Sequence, residues 1–298
     1  MLYNFPKRVE IELVSDCNLR CVYCPRHHVN DLTGYMDYEL FLRLIDEISS
    51  YSDRIITLHR RGESLMHPKF VQMCSYVKDK FQEVQIATNG TLLNKPRSLA
   101  IIDAVDFVSF SIDHPENFDK TRLPAKYTSV ESNILKFLDW NQGKVKTQVS
   151  MVQIDDTPDH YVEEFKDLWE GKVDRIRVYQ EHSKGGVFGS LEKPRIERKP
   201  CMMPQYECLV YCDGKIGRCN HDWNGDPMGD VNTHSLLDVW HGEKYLDLRR
   251  QHQSLCITDK VCSGCDSWYP IEGVQDTGEV LENVSSSEKE SPREAIEV

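Results

Sequence analysis

Short apolar segments with the two-residue period of strands alternate with longer segments of helical period over the first 182 residues. The strand-like segments lie at residues 9–13, 54–59, 83–88, 106–112, 145–151 and 175–179. Apolar stripes spaced three or four residues apart lie between them, at residues 40–48, 70–77, 98–102, 130–138 and 161–169. Because strands joined through helices form right-handed crossovers, this order predicts an α/β fold with a six-stranded parallel sheet, open or partly closed as a barrel.

Periodicity and residue composition divide the chain into four parts. Residues 1–182 carry the predicted barrel, and residues 183–200 contain a glycine pair and two prolines, which is typical of a linker. Residues 201–271 hold seven of the cysteines and predict a small domain with a hairpin at 211–216. Residues 272–298 are acidic and rich in serine, which predicts a disordered tail.

Charge and hydropathy argue against two classes of partner. The chain carries 36 basic and 48 acidic residues, a net charge of −12, whereas phosphate binding needs a basic surface. No run of 18 uncharged apolar residues is present, so a membrane span is not expected. The first residues contain no apolar signal-peptide region, which predicts a cytoplasmic protein. We therefore expect neither nucleic acid nor a membrane among its partners.

Eleven cysteines are the most informative part of the composition. Disulfides are rare in the reducing cytosol, so metal ligation or catalysis is the expected use of these residues. Cys17, Cys21 and Cys24 follow the first predicted strand with the spacing Cys-x3-Cys-x2-Cys. Thiolates at this spacing suit an iron–sulfur cluster or zinc, and three ligands to a four-iron cluster leave one iron open for chemistry.

The triplet, with Tyr23 before its third cysteine, resembles the motif of the radical S-adenosylmethionine (radical SAM) superfamily. The resemblance implies a partial (β/α)6 TIM-like barrel with a [4Fe–4S] cluster on Cys17, Cys21 and Cys24. It further implies that S-adenosylmethionine chelates the open iron and is cleaved to methionine and a 5′-deoxyadenosyl radical. That radical removes hydrogen from the substrate.

Segments after the next three predicted strands resemble the cofactor-binding segments of that superfamily. The turn of Arg61, Gly62 and Glu63 is similar to a Gly-Gly-Glu turn, although Arg61 replaces the first glycine and Ser64 stands where proline is common. Arg122 resembles an arginine that pairs with the cofactor carboxylate in some relatives. The resemblance implies cofactor-binding roles for Tyr23, Gly62, Glu63, Thr88, Asn89, Ser111, Asp113 and Arg122.

A second group of cysteines lies in the C-terminal part, at Cys201, Cys219, Cys262 and Cys265. On spacing alone, a Cys-x2-Cys pair with two distant cysteines suits zinc or an iron–sulfur cluster. The order Cys-x12-Gly-x4-Cys followed by Cys-x2-Cys resembles the SPASM/twitch extensions of radical SAM enzymes. Because no cysteine follows Cys265, the resemblance is to the twitch form, a small α+β domain with one auxiliary [4Fe–4S] cluster on these four cysteines.

Four cysteines lie outside both groups. Cys74 lies on an apolar helical stripe and is expected to pack in the core. Cys208, Cys212 and Cys256 have no role that the sequence assigns.

The resemblance extends to auxiliary-cluster dehydrogenases and epimerases that act on aminoglycosides, cyclitols and other sugars. It implies an oxidoreductase that removes hydrogen from a carbinol carbon and passes the remaining electron to the auxiliary cluster, which gives a ketone. A small polar substrate is expected, since no domain that could hold a leader peptide precedes the barrel. An electron donor such as flavodoxin or ferredoxin is the expected protein partner. The catalytic base is not identified, and Glu181 and His182 after the sixth strand are candidates.

Three alternatives stay open at this point. The first is an epimerase in which Cys208, Cys212 or Cys256 returns hydrogen to the opposite face of the substrate. The second is a peptide-modifying SPASM maturase. The third is a zinc-stapled binding protein that does no chemistry. The oxidation state of the product separates the dehydrogenase from the epimerase, and metal content separates an enzyme from the zinc-stapled protein.

Overall fold

A computed structural model describes residues 4–29, 34–180, 198–223, 225–265, 268 and 278–282. Its strands are β1 (Arg8–Ile11), β2 (Arg20–Cys21), β3 (Ile55–Thr57), β4 (Glu83–Thr88), β5 (Phe107–Ser111), β6 (Arg122–Leu123), β7 (Lys146–Gln153), β8 (Arg175–Gln180), β9 (Glu207–Val210), β10 (Lys215–Gly217), β11 (Gly229–Asp230) and β12 (Gly278–Glu282). Its α-helices are α1 (Tyr38–Ser49), α2 (Phe70–Val77), α3 (Lys95–Ala104), α4 (Pro115–Thr121), α5 (Tyr127–Asn141), α6 (Asp159–Trp169), α7 (Met203–Tyr206), α8 (Leu236–Trp240), α9 (Glu243–Ser254) and α10 (Lys260–Ser263). In the described part of the chain, no helix has the length and apolar character that crossing a bilayer requires.

Six parallel strands form the centre of the main sheet, in the order β1-β3-β4-β5-β7-β8. The register places Val9 opposite Ile56 and Ile56 opposite Val84, and parallel pairing continues to β8. Helices α1, α2, α3, α5 and α6 occupy the connections at the predicted apolar stripes. The predicted α/β fold is therefore confirmed, with all six strands of the partial barrel present.

The two faces of this sheet differ in polarity. Val84 and Ile86 of β4 are buried in the core that the helices complete. Glu83 and Gln85 of the same strand line a cavity of about 540 Å³ on the other face. Parallel sheets usually bury apolar side chains on both faces. The polar inner face therefore leaves room for a polar ligand.

The C-terminal segment extends the same sheet. β9 pairs in parallel with β1, with Cys208 opposite Val9, and β10 and β11 continue antiparallel. The predicted hairpin is present between β9 and β10, and Gly214 adopts φ +85° at its turn, a conformation that favours glycine. This pairing brings the segment to the cavity, where Tyr206 and Asn220 form part of the wall.

Two predicted segments flank the end of the barrel. The predicted linker lies outside the described residues up to residue 197, as do Glu181 and His182. The predicted disordered tail is wrong for residues 278–282, where β12 pairs antiparallel with β8. The physical reason is that β8 has an open edge of backbone donors and acceptors, which a further strand satisfies. Acidic composition alone gives no sign of such pairing.

Candidate cofactor site and auxiliary cluster site

The loop after β1 carries the cysteine triplet at the carboxyl end of the barrel strands. The Sγ atom of Cys17 accepts a hydrogen bond from the backbone N–H of Leu19 at 3.4 Å and one from Asn89 Nδ2 at 3.8 Å. Burial raises the pKa of Cys17 to about 12 and that of Cys21 to about 11. These thiols therefore stay protonated at neutral pH unless a metal binds, since a coordinating thiol is deprotonated outright.

The donor set of this loop suits a four-iron cluster. Cys21 and Cys24 are close enough to Cys17 for their charges to raise its pKa, after the larger effect of burial. Within the described ranges, no group of three or more His, Cys, Asp or Glu side chains is arranged around a single metal ion. Thiolate ligands of a four-iron cluster bind different iron atoms, so they need not converge on one point. Three such ligands leave one iron open.

Asp113, Arg122 and Tyr23 form a buried group beside the triplet. Asp113 Oδ2 accepts hydrogen bonds from Tyr23 Oη at 2.7 Å and Arg122 Nε at 2.9 Å, and its Oδ1 accepts one from Arg122 Nη2 at 2.9 Å. β6 holds Arg122 opposite Cys21 of β2, and its positive charge lowers the pKa of Cys21 against the larger effect of burial. The sequence predicts that Arg122 pairs with a cofactor carboxylate. In this structure Arg122 donates to Asp113 through Nε and Nη2, and the third guanidinium nitrogen, Nη1, takes no part in this ion pair.

Glu63 joins the loops that follow β3 and β4. Its Oε1 accepts a hydrogen bond from Thr88 Oγ1 at 2.8 Å, and its Oε2 accepts one from the backbone N–H of Asn89 at 2.8 Å. The backbone N–H of Glu63 donates to the carbonyl of Asp16 at 2.8 Å, which binds this turn to the cysteine loop. Burial raises the pKa of Glu63, whereas the two hydrogen bonds oppose that rise.

Asn89 completes the contact between the β4 loop and the cysteine loop. Its Nδ2 donates to Asn18 Oδ1 at 3.0 Å, and Asn18 Nδ2 donates to Thr91 Oγ1 at 2.8 Å. Gly90 turns the chain with φ +74°. Ser111, by contrast, lines the central cavity. The structure thus brings seven of the eight predicted cofactor residues around the cysteine loop and leaves Ser111 facing the cavity.

Gly62→Ala is expected to lower the free energy of unfolding by about 1–3 kcal/mol, because an added methyl group overpacks the turn. Its Cβ would lie 2.1 Å from the carbonyl oxygen of Asp16, and only backbone movement relieves that contact. Gly34→Ala is the matched control, since its Cβ would meet Cys212 Sγ at an ordinary 3.4 Å. Urea unfolding of both variants measures the difference. Equal stability of the two would contradict the close approach of the loops.

Arg61, which departs from the glycine turn, has a structural partner that the sequence analysis missed. Its Nε and Nη2 donate to the fully buried Glu12 at 2.6 and 2.8 Å, and its guanidinium lies 3.9 Å from the ring centre of Tyr211. Glu12 also accepts a hydrogen bond from the backbone N–H of Cys212 at 3.3 Å. Arg61 therefore ties the cofactor turn to the β9–β10 hairpin. The sequence signal for this contact was Glu12, an acidic residue directly after the predicted first strand.

The four cysteines of the second group line one cavity in the C-terminal domain: Cys201, Cys219, Cys262 and Cys265. Burial raises the pKa of Cys219, and the charges of the other three cysteines add to this effect. Four thiols around one cavity match the ligand set of a fully coordinated iron–sulfur cluster. The structure therefore brings together the four cysteines that the resemblance to a twitch domain implies as ligands.

Charged residues hold this cysteine cavity in place. Arg218 pairs with Asp222 at 2.9 Å and with Asp259 at 2.7 Å. Asp259 also caps α10, accepting hydrogen bonds from the backbone N–H groups of Val261 at 3.1 Å and Cys262 at 3.0 Å. Caps of this kind fix the start of a helix, so the position of Cys262 is set by Asp259.

The remaining cysteines occupy four different environments. Cys74 is fully buried on α2, as predicted. Cys208 is also fully buried, with Tyr245 Oη 3.5 Å from its Sγ. Cys256 is exposed, and Cys212 is half-buried in the turn between β9 and β10, beside Glu12. Of the three cysteines without a predicted role, Cys212 alone lies next to the cofactor turn.

These features define an enzyme built on an open α/β barrel with a thiol-lined cluster site at each end of the chain. The protein belongs to the radical SAM superfamily, whose family model matches residues 11–169. The SPASM model, an iron–sulfur cluster-binding domain, matches residues 201–266. The protein is therefore a radical SAM enzyme that uses S-adenosylmethionine and a [4Fe–4S] cluster, with further iron–sulfur binding in its C-terminal domain.

Two relatives show how far the similarity extends. The tungsten-containing aldehyde ferredoxin oxidoreductase cofactor-modifying protein of Pyrococcus furiosus is 38% identical over 109 residues, 36% of this chain and 31% of the relative. The S-adenosyl-L-methionine-dependent 2-deoxy-scyllo-inosamine dehydrogenase of Niallia circulans is 24% identical over 255 residues, 81% of this chain and 85% of the relative. The chain thus spans about a third of the first relative and most of the second.

A solved structure shares the fold over nearly the whole chain. The crystal structure of BtrN in complex with AdoMet and 2-DOIA superposes with a TM-score of 0.62 at 19% identity, and covers 93% of this chain and 97% of the other. At this identity the likeness supports the fold, a partial barrel followed by a cluster-binding domain.

Proposed function

We propose that this enzyme is a dehydrogenase that oxidises a secondary alcohol of a small polyhydroxylated substrate, such as a sugar, an aminoglycoside or a cyclitol. The observation that carries the proposal is the cavity of about 540 Å³ on the inner face of the sheet. Its walls present Ser, Thr, Gln, Glu and Arg side chains, which can bind hydroxyl groups. The relative from Niallia circulans supports this substrate class, because it is an inosamine dehydrogenase that this chain matches over 81% of its length.

The cysteine triplet and the surrounding loops would hold the cofactor. Cys17, Cys21 and Cys24 are proposed to bind a [4Fe–4S] cluster. When bound, this cluster and S-adenosylmethionine supply the radical that removes hydrogen from the substrate. The chain orients the bound cofactor through the seven cofactor residues around the triplet, with Arg122 held in place by Asp113. Ser111 would contact the part of the cofactor that reaches the cavity.

Electron transfer is proposed to involve the second cysteine group and a separate electron-donor protein. Cys201, Cys219, Cys262 and Cys265 are proposed to bind one auxiliary [4Fe–4S] cluster, which supplies an acceptor for the electron that substrate oxidation leaves. A reductant is required for cofactor cleavage, and we propose flavodoxin or ferredoxin in that role. Reduced thiols of this number suit the cytosol.

The experiment that tests this function supplies the reconstituted enzyme with S-adenosylmethionine, a reductant and a panel of polyols that includes 2-deoxy-scyllo-inosamine. Formation of 5′-deoxyadenosine that depends on one polyol, with one ketone formed per 5′-deoxyadenosine, is the expected result. Carbonyl trapping and mass spectrometry measure the ketone. If a peptide panel stimulates 5′-deoxyadenosine and no polyol does, the enzyme is a peptide-modifying maturase.

Glu63→Ala is expected to weaken the binding of S-adenosylmethionine by roughly 10- to 150-fold. The reason is the loss of a charge-assisted hydrogen bond to the cofactor ammonium, which is worth about 1.5–3 kcal/mol. Calorimetric titration of the reconstituted enzyme gives the dissociation constant. Glu116→Ala, an exposed carboxylate on α4, is the control. An unchanged dissociation constant for Glu63→Ala would remove this turn from the cofactor site.

Epimerisation is the second candidate function, and the position of Cys212 favours it. This thiol lies next to the turn of Arg61 through Glu12, whereas Cys208 is fully buried against Tyr245. A hydrogen donor must reach the substrate, so among these cysteines Cys212 is the candidate donor.

A further inference from the structure

Four acceptor atoms on the cavity wall have no hydrogen-bond partner within the described residues. They are Glu10 Oε2, Thr57 Oγ1, Gln148 Oε1 and Asn220 Oδ1, and the first three side chains are 7%, 3% and 2% exposed. Glu10 and Thr57 are directly opposite each other on β1 and β3, and all four residues line the same cavity. Buried polar groups are costly when unbonded, so these atoms are expected to accept hydrogen bonds from a bound molecule.

Arg60 forms an ion pair with Glu10, but its hydrogen bond and its ring contact are with other residues. Its Nε is 3.6 Å from Glu10 Oε2, which is beyond a good hydrogen bond. Its Nη2 donates to the backbone carbonyl of Asp222 at 2.8 Å, and its guanidinium lies 4.9 Å from the ring centre of Trp223. Arg60 is therefore within ion-pair distance of Glu10 but forms no hydrogen bond with its Oε2.

Charges of both signs surround Glu10 and act on its pKa in opposite directions. Arg60 and Arg8 favour its carboxylate form, whereas Glu207 and Glu12 oppose it. Burial is the largest effect and raises the pKa of Glu10 to about 8. At pH 7 the side chain is therefore mostly a neutral acid, and an ammonium bound beside it would convert it to the carboxylate.

His59 adds a donor to the same wall. Its Nδ1 accepts a hydrogen bond from the backbone N–H of Ala87 at 3.0 Å, which leaves the proton of the neutral ring on Nε2. Burial lowers the pKa of His59 to about 4, so the ring carries no charge at neutral pH. The cavity wall therefore contains neutral groups that can bind hydroxyls, together with charged side chains. Glu83 accepts a hydrogen bond from Gln85, and Glu207 pairs with Arg8. Arg175 and Arg177 also line the cavity. Glu10 is the acidic residue of this wall whose Oε2 has no hydrogen-bond partner within the described residues.

We propose that the substrate is an aminated polyol, with its ammonium group bound by Glu10 and its hydroxyl groups bound by Thr57 and Gln148. This inference rests on the proposed function, since it names the substrate class of that cavity. A carboxylate without a hydrogen-bond partner gains more from an ammonium than from a hydroxyl, because hydrogen bonds between two charged groups are about twice as strong as neutral ones. Binding then releases a proton from Glu10.

Calorimetric titration at pH 7 tests the proposal on the reconstituted enzyme. The probes are 2-deoxy-scyllo-inosamine and the same cyclitol with a hydroxyl in place of the amine. Titration in phosphate and in Tris, which differ in heat of ionisation, gives the number of protons released. We expect close to one proton released with the amine and none with the hydroxyl compound. Proton release is measured on the unaltered protein, so the test does not depend on whether a variant folds.

Glu10→Gln and Glu131→Gln form a matched pair of variants. Glu131 lies on α5 outside the residues that line the cavity, and its carboxylate accepts a hydrogen bond from Tyr127 Oη at 3.1 Å. Glu10→Gln is expected to weaken amine binding by roughly 10- to 100-fold and to abolish proton release, with little change for the hydroxyl compound. Glu131→Gln is expected to change neither. Equal affinity of the two probes, or proton release that survives Glu10→Gln, would overturn the proposal.

These experiments distinguish a failure of the proposed recognition by Glu10 from a failure of the proposed dehydrogenase function. If the amine binds with proton release but no ketone forms, the dehydrogenase function is wrong and the recognition by Glu10 stands. If neutral polyols give a ketone as readily as amines and bind as tightly, the function stands and the recognition is wrong. If neither probe gives binding heat, both the recognition by Glu10 and the proposed substrate class are wrong.

Discussion

Replacing Cys17, Cys21 and Cys24 together by alanine is expected to reduce the iron content from about eight to about four atoms per chain, on the premise of one four-iron cluster for each cysteine group. The same variant is expected to lose cleavage of S-adenosylmethionine completely. Burial raises the pKa of Cys17 and Cys21 well above neutral pH, so a bound metal is what would keep them as thiolates. Iron analysis and the yield of 5′-deoxyadenosine measure the two effects.

The controls for this variant come from the other cysteines. Cys74→Ala removes a buried thiol of the core, and Cys256→Ala removes an exposed one. Both are expected to keep the full iron content. Unchanged iron in the triple variant, or stoichiometric zinc in the native protein, would contradict the assignment and favour a zinc-stapled protein. Loss of iron from both sites would show that the two cluster sites depend on each other for folding.

The barrel can be predicted from sequence because its strands and helices differ in period. The segment predicted at residues 83–88 coincides with β4, and the apolar stripe at 40–48 lies within α1. Each of these patterns depends on residues close in sequence and on one buried face. The cysteine triplet is similarly local, so its loop could be identified from spacing alone.

Contacts between distant segments could not be predicted in the same way. Glu12 and Cys212 are 200 residues apart, yet the backbone N–H of Cys212 donates to the Glu12 carboxylate. Arg61 departs from the expected glycine because its side chain pairs with Glu12 and stacks on Tyr211. No periodicity relates these three positions. Their meeting depends on the parallel pairing of β9 with β1, which the domain division of the sequence did not anticipate.

The polarity of the cavity also could not be predicted from the hydrophobic periodicity of the sequence. Glu10 interrupts an apolar strand, which signals a special position without naming its partner. Its surroundings come from Arg60 after β3 and from Glu207 on β9. Substrate-binding residues therefore could not be identified from periodicity, whereas the structure places Glu10, Thr57 and Gln148 on the cavity wall as candidates.

The end of the reaction separates the dehydrogenase from the epimerase, and it gives the second large expected effect. A substrate radical that is oxidised becomes a ketone, whereas one that receives a hydrogen atom from a thiol becomes an epimer. In the epimerase, removing the donor thiol would abolish turnover while 5′-deoxyadenosine still forms. The sequence offers Cys208, Cys212 and Cys256 as donors. Burial of Cys208 and exposure of Cys256 reduce this choice to Cys212.

Cys212→Ala is therefore the decisive variant, with Cys208→Ala and Cys256→Ala as controls. Burial raises the pKa of Cys212 to about 11, so at neutral pH it is a thiol that exchanges its hydrogen with solvent. An epimer formed in deuterated water would then carry deuterium on carbon, which mass spectrometry detects. We expect a ketone, no deuterium on carbon, and retained turnover in all three variants. Deuterium incorporation together with an inactive Cys212→Ala enzyme would instead establish epimerisation, because a dehydrogenase needs no hydrogen donor at that step.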